Sequence, residues 1–214
     1  MRVVTLIFLA FSSLTGQFRY SVGAGLGGVF PAPDMDGFNS MLADSGLDQV
    51  SPLWIPTAFM VSVQAHPSLR VGYVRYSNGL LKNRSSDNWA LTITTTGILV
   101  ETYFTIVRRM EANFGFAPMI ARADFSQTEI SATTSPFQLP TSTSAGIQHG
   151  AMAYASWVGG RFYVNPFLAV ELTAGYLNLT FKGDGWKSDG QDTTITGKID
   201  LSRPLVRFAL VVGW

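Results

Sequence analysis

The chain has 214 residues, enough for one domain with a sizeable interior, and a net charge of +1 gives no global field to recruit nucleic acid. Charged residues are only 14% against 47% hydrophobic, while Gly (21) and Phe (15) are plentiful. Cysteine is absent, which excludes disulfides, thiolate catalysis and cysteine metal sites.

The first stretch, "MRVVTLIFLAFSSLTG", has one arginine, an apolar run from Val3 to Phe11, then small and polar residues. That order predicts a secretory signal peptide over residues 1–16, with cleavage after Ser12 or after Gly16, the latter leaving Gln17–Trp214 as the mature domain. The run is too short for a membrane helix, and no later segment reaches the roughly 18 apolar residues such a helix needs.

From Gln17 onward the apolar pattern has period two, which means strands with two unlike faces. In Gln17–Phe30 one face carries Phe18, Tyr20, Val22, Ala24, Leu26 and Phe30, and the other Arg19, Ser21, Gly23, Gly25 and Gly27. A long connector, Pro31–Pro56, follows, with a short helix predicted over Phe38–Ala43 that presents Phe38, Met41 and Leu42 on one side. Thr57–Ala65 sets Phe59, Val61 and Val63 against Ser62 and Gln64. Leu69–Asn78 puts Leu69, Val71 and Tyr73 outward; Arg75 then falls on the same face, either beyond the apolar band or re-phased by a bulge. Trp89–Ile106 places Ile98, Val100, Phe104 and Ile106 opposite Glu101. Met110–Asp124 sets Met110, Ala112, Phe114, Phe116 and Ile120 against Glu111 and Asn113. In Gly150–Tyr163, Met152, Tyr154, Val158 and Phe162 face away from Arg161. Phe167–Phe181 opposes Leu168, Val170, Leu172 and Tyr176 to Glu171 and Thr173. Leu201–Trp214 ends on Val206, Phe208, Leu210, Val212 and Trp214, with Arg207, Ala209, Val211 and Gly213 behind.

These are eight strands whose connectors alternate: tight at His66–Ser68, Val107–Arg109 and Val164–Pro166, long at Pro31–Pro56, Gly79–Asn88, Phe125–His149 and Lys182–Asp200. All long loops therefore lie at one end and all turns, with both termini, at the other. The expected fold is all-β, an eight-stranded antiparallel up-and-down transmembrane β-barrel. Closure leaves no strand edge and satisfies the backbone in lipid.

The export signal, eight alternating strands, loop asymmetry and terminal aromatic resemble the small outer-membrane barrels of diderm bacteria, of the OmpX, OmpA-barrel and OmpW kind. The resemblance implies residence in the bacterial outer membrane, contact with its lipid, and a monomer without cofactor. It also implies that the last strand is read by the barrel-assembly machinery: Arg207 supplies the polar residue, Val212 and Trp214 the apolar pair, and Ala209 stands where glycine is usual.

A lipid-facing exterior forces charge inward. Arg19, Arg70, Glu101, Glu111, Arg161, Glu171 and Arg207 all fall on inward faces. Counting from turns sets Glu171 level with Arg207, Glu111 with Arg161, and Arg70 with Glu101. The expectation is a hydrogen-bonded ionic core that plugs the barrel, with a water or proton wire as the alternative. Aromatic girdles are expected from Phe18, Phe104, Phe162, Phe167 and Trp214 at the turn end, and from Phe30, Tyr76, Trp89 and Tyr176 at the loop end.

Other candidate chemistry is sparse. Gly23, Gly25 and Gly28 fit a dinucleotide fingerprint, but a loop follows instead of the required helix. His66 and His149 read as surface histidines without further metal ligands. "RYSNG" is similar to the His-x-Ser-Asn stretch of outer-membrane lipid A deacylases, with Ser77 and Asn78 in place, but Arg75 stands where the histidine base belongs. The fourth long loop has acids beside glycines without the spacing of a calcium loop, and its Trp186 is a candidate contact for lipopolysaccharide. The expected role is non-enzymatic, in envelope structure or surface binding through the loops, with OmpW-like transport of a small or hydrophobic solute as the alternative.

Overall fold

The computed structural model describes residues 19–49, 54–83, 87–130, 142–195 and 197–213. The expected signal peptide, Phe18 and Trp214 lie outside them. The strands are β1 (Tyr20–Val29), β2 (Thr57–His66), β3 (Leu69–Asn83), β4 (Asp87–Val107), β5 (Met110–Ile130), β6 (Ser142–Asn165) and β7 (Leu168–Asn178). Short strands β8 (Thr180–Phe181), β9 (Trp186–Ser188), β10 (Gln191–Thr193) and β11 (Ile199–Asp200) then precede β12 (Arg203–Gly213). One helix, α1, spans Asp36–Asp44.

β1 to β7 pair antiparallel in chain order, β12 pairs with both β7 and β1, and the ring closes. It is an eight-stranded antiparallel up-and-down barrel. Each of the three tight turns adjoins a register shift, at Gln64/His66, Thr105/Val107 and Tyr163/Asn165. The apolar faces point outward: Ile98, Phe104, Ile120, Val158 and Leu172 are exposed, and Met152 is 77% exposed. Polarity is thus the reverse of a soluble barrel, where the oily face turns in.

The strand ends differ from expectation. β3 and β4 run on to Asn83 and Asp87, β5 to Ile130, and β6 starts at Ser142, so much of the second and third long loops is sheet. The β5 and β6 extensions are rich in Thr, Ser and Gln, the β3 extension Gly79–Asn83 has no apolar alternation, and threonine suits a strand once a neighbour offers a ladder. Arg75 keeps its outward phase without a bulge, since β3 pairs with β4 in unbroken register from Leu69 to Asn83. Tyr76 and Trp89 do not join the loop-end girdle; both are buried inside. Phe30 and Tyr176 are exposed, as are Phe104, Phe162 and Phe167.

α1 sits one residue wider at its C-terminus and two at its N-terminus than the expected helix. Asp36 lies in its first turn, favourable to the helix dipole. Gly46 at φ +72 ends it: the Gly46 N–H donates to Ala43 O at 2.9 Å and the Leu47 N–H to Leu42 O at 2.8 Å. Phe38 and Leu42 are fully buried, and Phe38 meets Phe125 edge-on at 5.6 Å. The wall near them is small, built of Ala117, Ala121 and Ala123 on β5 and Ala153 and Ala155 on β6. Trp54, Phe181, Trp186, Leu179 and Ile199 belong to the same buried cluster.

Close strand packing depends on inward glycines. A Cβ on Gly175 would collide with the Ser156 carbonyl and lie 2.7 Å from Trp157 Cα. Gly175→Val is expected to destabilise the barrel by roughly 1–3 kcal/mol, as overpacking does. Urea titration of the detergent-solubilised protein, followed by heat-modifiable gel migration, measures it; an unchanged midpoint contradicts the packing.

Candidate functional site

The inward charges meet in the turn half of the barrel. Six of them, Arg70, Glu101, Glu111, Arg161, Glu171 and Arg207, are at most 1% exposed. Register brings Arg70 opposite Glu101, Glu111 opposite Arg161, and Arg161 opposite Glu171. Arg161 therefore has a carboxylate on each side. Its Nε donates to Glu171 Oε2 at 2.9 Å, and its guanidinium lies 3.7 Å from Glu101 and 3.8 Å from Glu111. Arg70 donates to Glu101 at 3.0 Å and to Glu111 at 2.8 Å. Arg207 donates to Glu171 Oε1 at 2.7 Å. Three guanidinium and three carboxylate groups balance formally, so the buried cluster carries no uncompensated charge.

Two expectations need correction. Arg207 is not level with Glu171: it pairs with Thr173, and Glu171 with Ala209. The two side chains meet on a diagonal, which long side chains span across neighbouring strands. At the turn end the two strands are level, Val212 opposite Leu168, and Arg207 stands two residues nearer the loop end than Ala209, the partner of Glu171. Arg19 does not enter the interior; it precedes β1, is exposed, and lies at the turn-end rim near Gln64 and His66. Of the residues expected to form the assembly signal, Val212 is exposed on the outer face, Arg207 is buried inside, and Trp214 lies outside the described residues.

Aromatic polar groups complete the cluster. Tyr163 donates its hydroxyl hydrogen to Glu111 at 2.8 Å and accepts from Arg70 at 3.2 Å. The Trp157 indole N–H donates to Glu101 at 3.3 Å, and Arg207 donates to the Tyr76 hydroxyl at 3.0 Å. Arg70 lies over the Tyr103 ring at 3.7 Å and Arg207 over Trp157 at 4.9 Å. Sequence reasoning did not single these out. The signal was present as parity: Tyr103, Tyr163 and Trp157 stand an even number of residues from Glu101 or Arg161.

The loop end holds different chemistry. His149 Nε2 bonds the Asp184 carbonyl at 2.8 Å, and its ring abuts Trp186 and Phe181 at 5.3 and 5.6 Å. Trp186 is fully buried and donates to Lys182 O at 2.8 Å, so it is no surface contact. Its neighbours on β9 pair with β6, which tucks the ring inward. Among the described residues no group of three His, Asp or Glu side chains gathers as a metal site. Asp200 ties the loop segments together, accepting from Ser202 N–H at 3.0 Å, Thr180 at 3.1 Å and Lys198 at 3.1 Å. Partial burial raises its carboxyl, but the bonds from Ser202, Lys198 and Thr180 outweigh that and bring it down to about 2.

No protein-family model matches the sequence, and no curated protein sequence does either. Among solved structures the chain overlaps Neisserial surface protein A (NspA) over 91% of its own length and 97% of that chain, with a TM-score of 0.51 at 11% identity. Ail, the attachment invasion locus protein of Yersinia pestis, solved in complex with the heparin analogue sucrose octasulfate, overlaps over the same shares with a TM-score of 0.47 at 11% identity. The outer membrane protease OmpT from Escherichia coli overlaps over 91% of this chain and 95% of its own, with a TM-score of 0.38 at 10% identity. At these identities the likeness is one of fold. The closed ring, oily outside and charged inside, has the architecture of a small eight-stranded bacterial outer-membrane β-barrel.

Glu171 serves both Arg161 and Arg207, so Glu171→Ala leaves three buried guanidinium groups to two carboxylates and takes the hydrogen-bonded acceptor from both arginines. The expected loss is about 3–5 kcal/mol in urea unfolding, and Arg207→Ala should cost less in that background than alone; additive losses contradict the shared contact. Because the Asp200 carboxyl lies below the usual aspartate range, its stabilising contribution is complete above about pH 4 and is lost as pH falls through about 2. Amide protection at Ser202, corrected for intrinsic exchange, should fall across that window and show no such step in Asp200→Asn.

Proposed function

We propose that this barrel is a non-enzymatic envelope protein that presents a binding surface above the membrane, its interior closed by the ionic cluster and the loop-end apolar cluster. The observation that carries this reading is the overshoot of β3 to β6. β2 begins at Thr57, paired with Ser77, yet β3 and β4 continue pairing to Asn83 opposite Asn88, and Asp87 of β4 pairs with Glu129 of β5. β5 and β6 continue to Ile130 and Ser142. A sheet of four strands thus extends past the lipid-facing band, and among the described residues no further strand pairs with Asn78–Asn83. An open strand edge is a ready template for an extended partner segment.

The loop-end apolar cluster favours the second reading, passage of a hydrophobic solute, but the ionic layer beneath it opposes that path. An enzyme of the deacylase kind lacks support: Arg75 is exposed on the outer face, and the Ser77 hydroxyl lies 3.3 Å from Thr94 Oγ1.

Planar-bilayer recording and liposome uptake separate these readings. Purified protein should give no stable large conductance and no solute-dependent swelling. Steady channels or uptake of an apolar solute would overturn the closed-scaffold reading in favour of transport.

A further inference from the structure

The outward face of β5 and β6 above the apolar band is used by neither the fold nor the proposed function. The last exposed large apolar residues on these strands are Ile120 and Met152. Beyond them the outward positions are Arg122, Asp124 and Ser126 on β5 and Gly150, Gln148 and Gly146 on β6. Register sets Arg122 opposite Gly150, Asp124 opposite Gln148, and Ser126 opposite Gly146. The row through Gln148 continues to Lys187 on β9 and Asp192 on β10. Four neighbouring strands thus carry a carboxylate, an amide, an ammonium and a carboxylate at one level, with roughly 4.8 Å between strands.

Much of this array lines an open trough of about 290 Å³, bounded by Arg122, Asp124, Ser126, Gln148 and Lys187, with Asp189 at the hairpin tip and Gly146 as bare backbone. Its walls are fixed before any ligand arrives. Arg122 Nε donates to Asp124 Oδ1 at 2.8 Å, and its Nη2 lies 2.8 Å from the same oxygen. Asp189 and Gly190 take left-handed backbone, φ +49 and +82, as a two-residue hairpin loop requires. The lining charges, Arg122 and Lys187 against Asp124 and Asp189, cancel formally. The trough therefore offers no net field to a phosphate or sulfate. Its donors and acceptors instead alternate, which suits hydroxyl groups, since each can both donate and accept.

We infer that this trough binds the end of an uncharged oligosaccharide presented from outside the cell. Asp124 and Asp189 accept from sugar hydroxyls, Arg122 and Lys187 donate to them, and Gln148 does both. Gly146, with no side chain, lets a sugar ring approach the backbone of β6 closely. Gly146 stands six residues beyond Met152, roughly 20 Å along the strand, so the site clears the lipid surface. Locked walls reduce the ordering cost of binding. The site lies at the opposite side of the extended sheet from the open β3 edge and shares with that proposal only the outer-membrane reading.

The test is an array of lipid-free uncharged oligosaccharides, with sulfated ones as comparators, probed with the fluorescently labelled, detergent-purified full chain. A Cβ on Gly146 meets only Phe125 O, at 3.5 Å, and one on Gly150 meets nothing within 4 Å, so both positions have room for a larger residue. Gly146→Val should fill the trough and remove the signal, whereas Gly150→Val, outside it, keeps the wild-type signal. Gln148→Ala should weaken binding about fivefold and Arg122→Ala about tenfold, the worth of a neutral and a charged hydrogen bond. Equal binding by Gly146→Val overturns the site, as does a wild type that binds no uncharged oligosaccharide. Preference for sulfated chains, lost at high salt, overturns the uncharged assignment. Signal that persists in excess core oligosaccharide from lipopolysaccharide supports an outside source, and full displacement by it overturns that source. Heat-modifiable migration is read on every sample: a wild type that does not shift fails the barrel reading itself, whereas shifted samples without sugar binding fail only this inference.

Discussion

A chain in lipid has no water to bond its backbone, and that constraint shapes nearly everything else in this structure. A sheet can meet it only by closing on itself, so β12 returns to β1 and every strand of the ring has two partners. Closure in turn divides the side chains into an outer set that faces lipid and an inner set that shares a narrow lumen. The alternation along each strand is the local expression of that division. Val22, paired with Val61 on one side and Val212 on the other, shows the outer face continuing across three strands.

The inner set is squeezed, because an eight-stranded lumen is only wide enough for side chains to fill. Charged groups there are tolerable if each finds a counter-charge within hydrogen-bond reach. Arg161 achieves this through position: it lies between Glu111 and Glu171 in register and also reaches towards Glu101. Removing any one carboxylate leaves cations that neither lipid nor solvent can satisfy. The cluster thus specifies which strands must neighbour one another, since only the native ring order brings the three arginines to the three glutamates.

The ring and most of its faces were legible from period two and the alternation of short and long connectors, because lipid outside and a filled lumen inside make the two faces of a strand unlike. The gathering of six inward charges was legible for the same reason. What was not legible depended on curvature or on pairing. The diagonal contact of Arg207 with Glu171 spans two register positions and depends on the direction and reach of two long side chains, which residue counts from turns do not contain. Tyr76 and Trp89 were expected in a girdle from their position near the band's edge, although Tyr76 shares parity with the inward Arg70. Position along a strand is a weaker guide than parity. The long ends of β5 and β6 were hidden because Thr- and Ser-rich segments look like loops until a neighbouring strand supplies a ladder, and those of β3 and β4 because Gly79–Asn83 and Asp87–Asn88 carry no alternation.

The lumen is filled in two different ways, and the connectors explain why. At the turn end the connectors are too short to send side chains inward, so the wall must fill its own interior. The wall residues there are accordingly long: Arg70, Tyr103, Arg161, Tyr163, Trp157 and Arg207. At the loop end the connectors supply the filling, through Phe38, Leu42, Trp54 and Trp186, and the facing wall of β5 and β6 shrinks to alanine. α1 is consequently part of the core: without Phe38 and Leu42 the alanine wall would face a void. Segments committed to packing are poorly placed to vary for recognition. The outward surfaces, among them the extended sheet of β3 to β6, have no such commitment.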